Sequence, residues 1–198
     1  MHTILEVLRA LERLEVDAEL RLAAARRHPA AKFAAGASQL SDQLPMTAVS
    51  AVALGLGGIS GNQRLTEAGA RMLVAIAATT ALKSTVERLV TRTRPNAVLD
   101  GRRYRCKPGG SDEKADKAFP SGHTANAVAA ARVLGRVYPE AAGLFWAAAL
   151  LVAFAQLPSG AHYPSDLLAG ALVGLAGEAA SGHLVAEVMA MLPPPVRR

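Results

Sequence analysis

A single cysteine, Cys106, stands in 198 residues. A disulfide framework needs pairs of thiols and a cysteine zinc site needs several at fixed spacing, so neither can be built from this chain. Aromatic residues make up only 4%, too few for base-stacking platforms, and the basic residues are concentrated in one loop. The net charge of +6 and the pI near 10.0 therefore suit anionic lipid headgroups better than nucleic acid, and no nucleic-acid partner is expected. The opening stretch "MHTILEVLRALERLEVDAEL" lacks an uninterrupted apolar core and a small-residue cleavage site. It is not read as a secretory signal.

What the chain does have is 51% hydrophobic residues, rich in alanine, a composition that favours packed helices over strands. We read one all-α domain over 1–198, with an amphipathic N-terminal segment over 1–40. In that segment Ile4, Leu5, Leu8, Leu11, Leu14 and Leu20 recur at helical spacing between charges, which suits a helix lying on a surface, of a membrane or of a protein. Residues 43–63 and 141–161 carry no charge and have about the length that crosses a hydrocarbon layer. The run 71–82 continues into "KSTVERLVTRTRP" and should stay helical until Pro95. Residues 96–118 read as a polar, glycine-punctuated loop, long enough to suggest a functional role. Further helices are expected over 122–138, 140–157 and 166–191, the last ending at "PPPVRR". The expected architecture is a membrane-embedded bundle of about six helices, with a soluble bundle as the alternative.

Three segments place polar residues at the ends of apolar helices: "RTRPN" (92–96), "PSGH" (120–123) and "HYPSD" (162–166). In the second, Ser121 can cap the following helix and Gly122 lets a ligand approach the backbone, where a helix N-terminus offers unpaired N–H groups to an anion. An ordinary serine cap beside a surface histidine has the same pattern. In the third, Asp166 lies four residues after His162, and a carboxylate on one imidazole nitrogen leaves the other free to attack. Asp166 and Ser165 can equally just start the next helix. In the first, Arg92 and Arg94 carry guanidinium forks suited to phosphate, though both also fit the basic flank of a membrane helix, Arg92 more so.

Taken together and in this order, the segments resemble the type 2 phosphatidic acid phosphatase family, which is related to bacterial acid phosphatases and vanadium-dependent haloperoxidases. The likeness covers about residues 40–180. It implies hydrolysis of a membrane lipid phosphate or pyrophosphate without metal or other cofactor, through a phosphohistidine intermediate. His162 is then the nucleophile, Asp166 orients it, and His123 protonates the leaving oxygen. Arg94 and the backbone at Ser121 and Gly122 hold the phosphoryl oxygens. The resemblance also implies a multi-pass protein of a bacterial-type inner membrane and leaves homo-oligomerisation open.

Two positions depart from the family pattern. The lysine expected seven residues before Arg94 is Glu87, and the Ser-Arg pair expected before the catalytic histidine reads Ala155-Gln156. Lys83, Arg88 and Arg92 lie close enough in sequence to compensate, and Gln156 can still donate an uncharged hydrogen bond. The departures motivate a second reading, a weak or inactive relative that binds a lipid phosphate as carrier or partner subunit. Vanadate-dependent halide oxidation is a third.

Overall fold

The computed structural model describes residues 2–191. Met1 and the closing "PPPVRR" lie outside the described residues, as do the side chains of Ile4, Leu5 and Leu8. The helices are α1 (His2–Ala23), α2 (Pro29–Ser38), α3 (Gln43–Ser60), α4 (Gln63–Glu87), α5 (Pro95–Leu99), α6 (Gly122–Val137), α7 (Ala142–Ala155) and α8 (Pro164–Met191). Five of them, α3, α4, α6, α7 and α8, form the bundle. Its centre is α6, whose alanines at 125, 129 and 131 are almost wholly buried between α4, α7 and α8.

Small residues let these helices approach closely, which is how packing compensates where lipid offers no hydrophobic drive between helices. A Cβ added at Gly170 would stand 2.5 Å from the Ser121 carbonyl oxygen, one at Gly174 2.3 Å from that of Ala125, and one at Gly177 2.4 Å from Thr79 Oγ1. The seat of α8 against α6 and α4 thus needs glycine. Gly174→Ala is expected to cost about 1–3 kcal/mol through overpacking. Gly182→Ala, where nothing lies within 4 Å, should leave the thermal midpoint in detergent unchanged.

Among the described residues two helices, α3 and α4, are long and apolar enough to cross a membrane. On α3 the outward Leu44, Val49, Val52, Leu56 and Ile59 are all exposed, Ile59 at 88%, as expected of a face turned to acyl chains. The uncharged segment 141–161 does not make a full span. Its helix α7 is 14 residues long, about 21 Å at 1.5 Å per residue, short of the roughly 30 Å hydrocarbon layer. The rest of the segment turns back at Gly160, φ 67°.

The run through Pro95 departs from the helical expectation too. Helix α4 stops at Glu87, and the β-branched stretch that follows becomes β1 (Val90–Arg92), antiparallel to β2 (Cys106–Pro108) with Arg92 opposite Cys106. Valine and threonine lose rotamer freedom in helices and pack well when extended, and here a partner strand is available. Consequently the 96–118 segment is folded: Arg94 N–H donates to the Ala115 carbonyl (2.8 Å), and Thr93 Oγ1 donates to Asp116 (2.9 Å).

Candidate active site

The ends of α4, α6 and α8 come together at one side of the bundle. Three backbone bonds tie the polar segments there: Ala118 N–H donates to the Arg92 carbonyl (2.9 Å), Ser121 N–H to the Asp166 carbonyl (3.0 Å) and Asn96 N–H to the Gly160 carbonyl (2.8 Å). Between them is a cavity of about 380 Å³, whose wall includes Arg94, Gly122, His123, Gln156 and His162.

His162 is buried, and its Nδ1–H donates to the Ala118 carbonyl at 2.6 Å. A carbonyl only accepts, so the proton sits on Nδ1 and the lone pair is on Nε2, which has no partner among the described residues. Burial first, then the nearby Arg94, hold the imidazole well below the usual histidine range. The ring is neutral at physiological pH.

The expected Asp166–His162 hydrogen bond is absent, since Asp166 Oδ2 lies 3.9 Å from Nδ1. Asp166 is engaged elsewhere. Its Oδ2 accepts from Tyr163 N–H (2.8 Å) and its Oδ1 from Arg92 Nη1 (2.6 Å). The backbone carbonyl of Ala118 does the orienting, while Asp166 shapes the turn that carries His162.

Arg92 faces away from the cavity. Its guanidinium donates to Asp166 and to Ser165 Oγ (2.7 Å), to Glu15 Oε2 (2.9 Å) and to Tyr104 Oη (3.2 Å), and lies over the Tyr163 ring. With its donors committed inside the protein, it is not available to a phosphate. Arg88 lines a separate depression with Ser84, Gly110 and Asp112. Neither compensates for the altered positions.

Arg94 is the arginine that enters the cavity. Its Nη2 donates to the Lys117 carbonyl (3.1 Å) and its Nε is buried without a partner. Lys83 also reaches the wall, with its Cε 3.3 Å from where a Gly122 Cβ would stand, but its ammonium is paired with Glu87 at 2.5 Å. Gln156 is buried on the wall and donates back to the Val152 carbonyl (3.3 Å). Ser121 has no side-chain role there. It caps α6, accepting weakly from Thr124 N–H (3.4 Å), and leaves Gly122 as the backbone at the cavity.

Two charged wall residues escaped sequence reading. Asp42, at the start of α3, places Oδ1 3.1 Å from His123 Nε2, without hydrogen-bond alignment. Lys114 comes from the folded polar loop, and its ammonium has no partner among the described residues. Only the loop's length and charge hinted at Lys114; nothing local marked Asp42. The charged groups around the cavity are thus Lys83, Arg94 and Lys114 against Asp42 and Glu87, one net positive charge. No group of three His, Cys, Asp or Glu that could hold a metal occurs among the described residues.

A buried carboxylate cluster backs this site. Glu15 accepts from Ser165 N–H (2.5 Å), and Glu19, 2% exposed behind it, is pushed up to about 8 by burial and by Asp166 and Glu15.

The site can be compared with known proteins. Two lipid A 1-phosphatases, from Rhizobium etli and Rhizobium johnstonii, are each 29% identical over 106 residues, 54% of this chain. The match spans only 45% and 43% of their lengths. The crystal structure of Aquifex aeolicus LpxE superposes with a TM-score of 0.53 at 20% identity, covering 83% of this chain and 92% of that one. That of a transmembrane PAP2 type phosphatidylglycerolphosphate phosphatase from Bacillus subtilis gives 0.50 at 18% identity, covering 87% and 86%. These two are alike in fold, a membrane-embedded helical bundle. Residues 68–189, which include every segment that converges on the cavity except the end of α2 and the start of α3, match the PAP2 superfamily, and the chain belongs to that superfamily.

Proposed function

We propose that the protein is a multi-pass membrane phosphatase that removes a phosphate from a lipid. The observation that carries this reading is the His162 tautomer: Nδ1–H held by the Ala118 carbonyl, with Nε2 left as a base in a cavity shared with Arg94 and His123. A neutral imidazole nitrogen is a competent nucleophile toward phosphorus. Nε2 attacks, the bond from phosphorus to the lipid oxygen breaks, and His123 delivers a proton to that oxygen. Water then attacks the phosphohistidine, His123 takes its proton, and inorganic phosphate leaves. Burial, with Arg94, Lys83 and Lys114 adding to it, holds His123 below the usual histidine range, and the Asp42 carboxylate works against them by favouring the imidazolium form needed for the first step.

The phosphoryl oxygens need cations as charge develops. Arg94 supplies one. We assign a second to Lys114, whose unpaired ammonium fits the function that Glu87 and Gln156 cannot perform. The lipid A 1-phosphatases among its relatives make lipid A 1-phosphate a substrate to test beside phosphatidic acid, phosphatidylglycerol phosphate and undecaprenyl pyrophosphate.

The test is inorganic phosphate released from each lipid by the purified protein in detergent. Lys114→Ala is expected to lower kcat/KM about 10- to 100-fold, the loss of one charge-assisted hydrogen bond. The Lys83–Glu87 pair, which takes a cation out of use, supports the second reading of a binding protein. Tight lipid-phosphate binding by the parent with no release from any of the four lipids would favour that reading and sink the first.

A further inference from the structure

Helix α1 carries three strips of side chains where a surface helix has two. At 100° per residue, Glu12, Glu15, Val16, Glu19 and Ala23 fall on one side. That side faces the protein: Val16, Glu19 and Ala23 are buried, Glu15 binds Arg92 and Ser165, and Glu12 accepts from the Tyr104 hydroxyl (2.6 Å). A second strip, Val7, Leu11, Leu14 and Leu22, faces outward and is exposed by 53, 57, 66 and 45%. A third, Arg9, Arg13, Asp17 and Arg21, borders it and is exposed as well.

A helix in water hides its leucines and exposes its glutamates; α1 does the reverse. Glu15 is satisfied by Arg92 and Ser165 and Glu12 by Tyr104, which turns this face inward; Glu19 is buried behind them with its Oε1 unpartnered among the described residues. The outward leucines have no cover among the described residues.

Their level in the fold indicates what covers them. Two anchors of α1 are Arg92, just past the end of α4 at Glu87, and Ser165, in the first turn of α8, where the apolar bundle helices stop. Leu11 shares an apolar groove of about 710 Å³ with Val90, Phe119 and Leu168. Leu168 and Leu172 continue the apolar surface outward along α8, exposed by 69 and 67%. The stripe is therefore continuous with a bundle face and parallel to a row of three arginines, which match anionic headgroups in charge.

We propose that α1 lies in the plane of the membrane interface, with Val7, Leu11, Leu14 and Leu22 among the acyl chains and Arg9, Arg13 and Arg21 against anionic lipid headgroups. Because the same helix clamps Arg92 and Ser165, lipid contact bears directly on the turn that carries His162.

The test uses the full chain with its only tryptophan removed (Trp146→Phe) and a reporter introduced as Leu14→Trp. The protein is reconstituted in vesicles of phosphatidylcholine and phosphatidylglycerol brominated at defined acyl positions. Quenching should be greatest for bromines about 5–10 Å below the headgroup boundary. Leu22→Trp should report the same depth, so the result does not hang on one variant. Asp17→Trp should be quenched less by bromine and more by aqueous acrylamide. A Leu14→Trp indole open to acrylamide and indifferent to bromine would place the stripe in water and overturn the proposal. One shielded from both would mean that protein covers it, a second copy or a partner, and would overturn it equally. The readout does not involve catalysis, so its failure leaves the proposed reaction standing.

Discussion

His162→Ala is expected to abolish phosphate release, a fall on the order of 10⁴-fold or more, as removing a covalent nucleophile does elsewhere. The residue is buried, its Nδ1 proton is fixed by Ala118, and its Nε2 has no hydrogen-bond partner among the described residues. No neighbour can take over: His123 faces Asp42, and the next wall residues are Gln156 and Ser159. The parent incubated briefly with a radiolabelled lipid phosphate and quenched in alkali should retain label on the protein, and His162→Ala should retain none. The pH profile adds a second check. Since the buried imidazole takes up a second proton, on Nε2, only at a pH well below the usual histidine range, the acid limb of kcat/KM should fall there and not near 6.5. Unchanged release by His162→Ala would remove the nucleophile assignment.

Arg92→Met should have the largest effect on stability. Burial works against the charge of Arg92, but Asp166 and Glu15 more than offset this and hold its pKa above the ordinary arginine value. Removing it leaves two carboxylates facing each other with no cation, and breaking a buried pair this way costs about 3–5 kcal/mol. In a chain of this size that corresponds to a drop of roughly 6–20 °C in thermal midpoint, measurable in detergent by intrinsic fluorescence. Adding Asp166→Asn to Arg92→Met should recover part of the loss, because it removes one of the stranded charges. Unchanged melting of Arg92→Met would show that the Glu15–Arg92–Asp166 network does not hold α1 and the His162 turn together.

The contrast between Arg92 and Arg94 shows where local reading runs out. Two residues apart and chemically identical, they go to opposite sides of the site because β1 ends between them. Arg92 is drawn toward the carboxylates of α1 and Arg94 toward the cavity. Nothing within "RTRPN" carries that distinction; it depends on Glu15, 77 residues away. The same holds for Asp42 beside His123 and for Lys114 in a loop that looked structureless. The partner of His162 is a backbone carbonyl, which any residue type would supply, so the side chain at 118 could not announce it. Asp166, the visible candidate, is 3.9 Å away and occupied.

Helix α1 was legible as amphipathic but not as inverted. Periodicity counts leucines on one side, and only the docking of Glu12, Glu15 and Glu19 decides which side faces in. Segment 141–161 was legible as apolar, and its helix over 140–157 is close to α7, Ala142–Ala155; what local pattern did not carry is that this helix falls short of a full span and that the turn after it brings Gln156 and His162 to the cavity.

By itself, then, the sequence determined the helical class, the apolar segments and the placing of "RTRPN", "PSGH" and "HYPSD" at the ends of apolar stretches, since period and caps act over a few residues. Tertiary structure decided which arginine meets a phosphate, what orients His162, which outlying charges join the cavity and which face of α1 is left for lipid. Those outcomes depend on ion pairs and backbone contacts between segments tens of residues apart, whose energies no local pattern encodes.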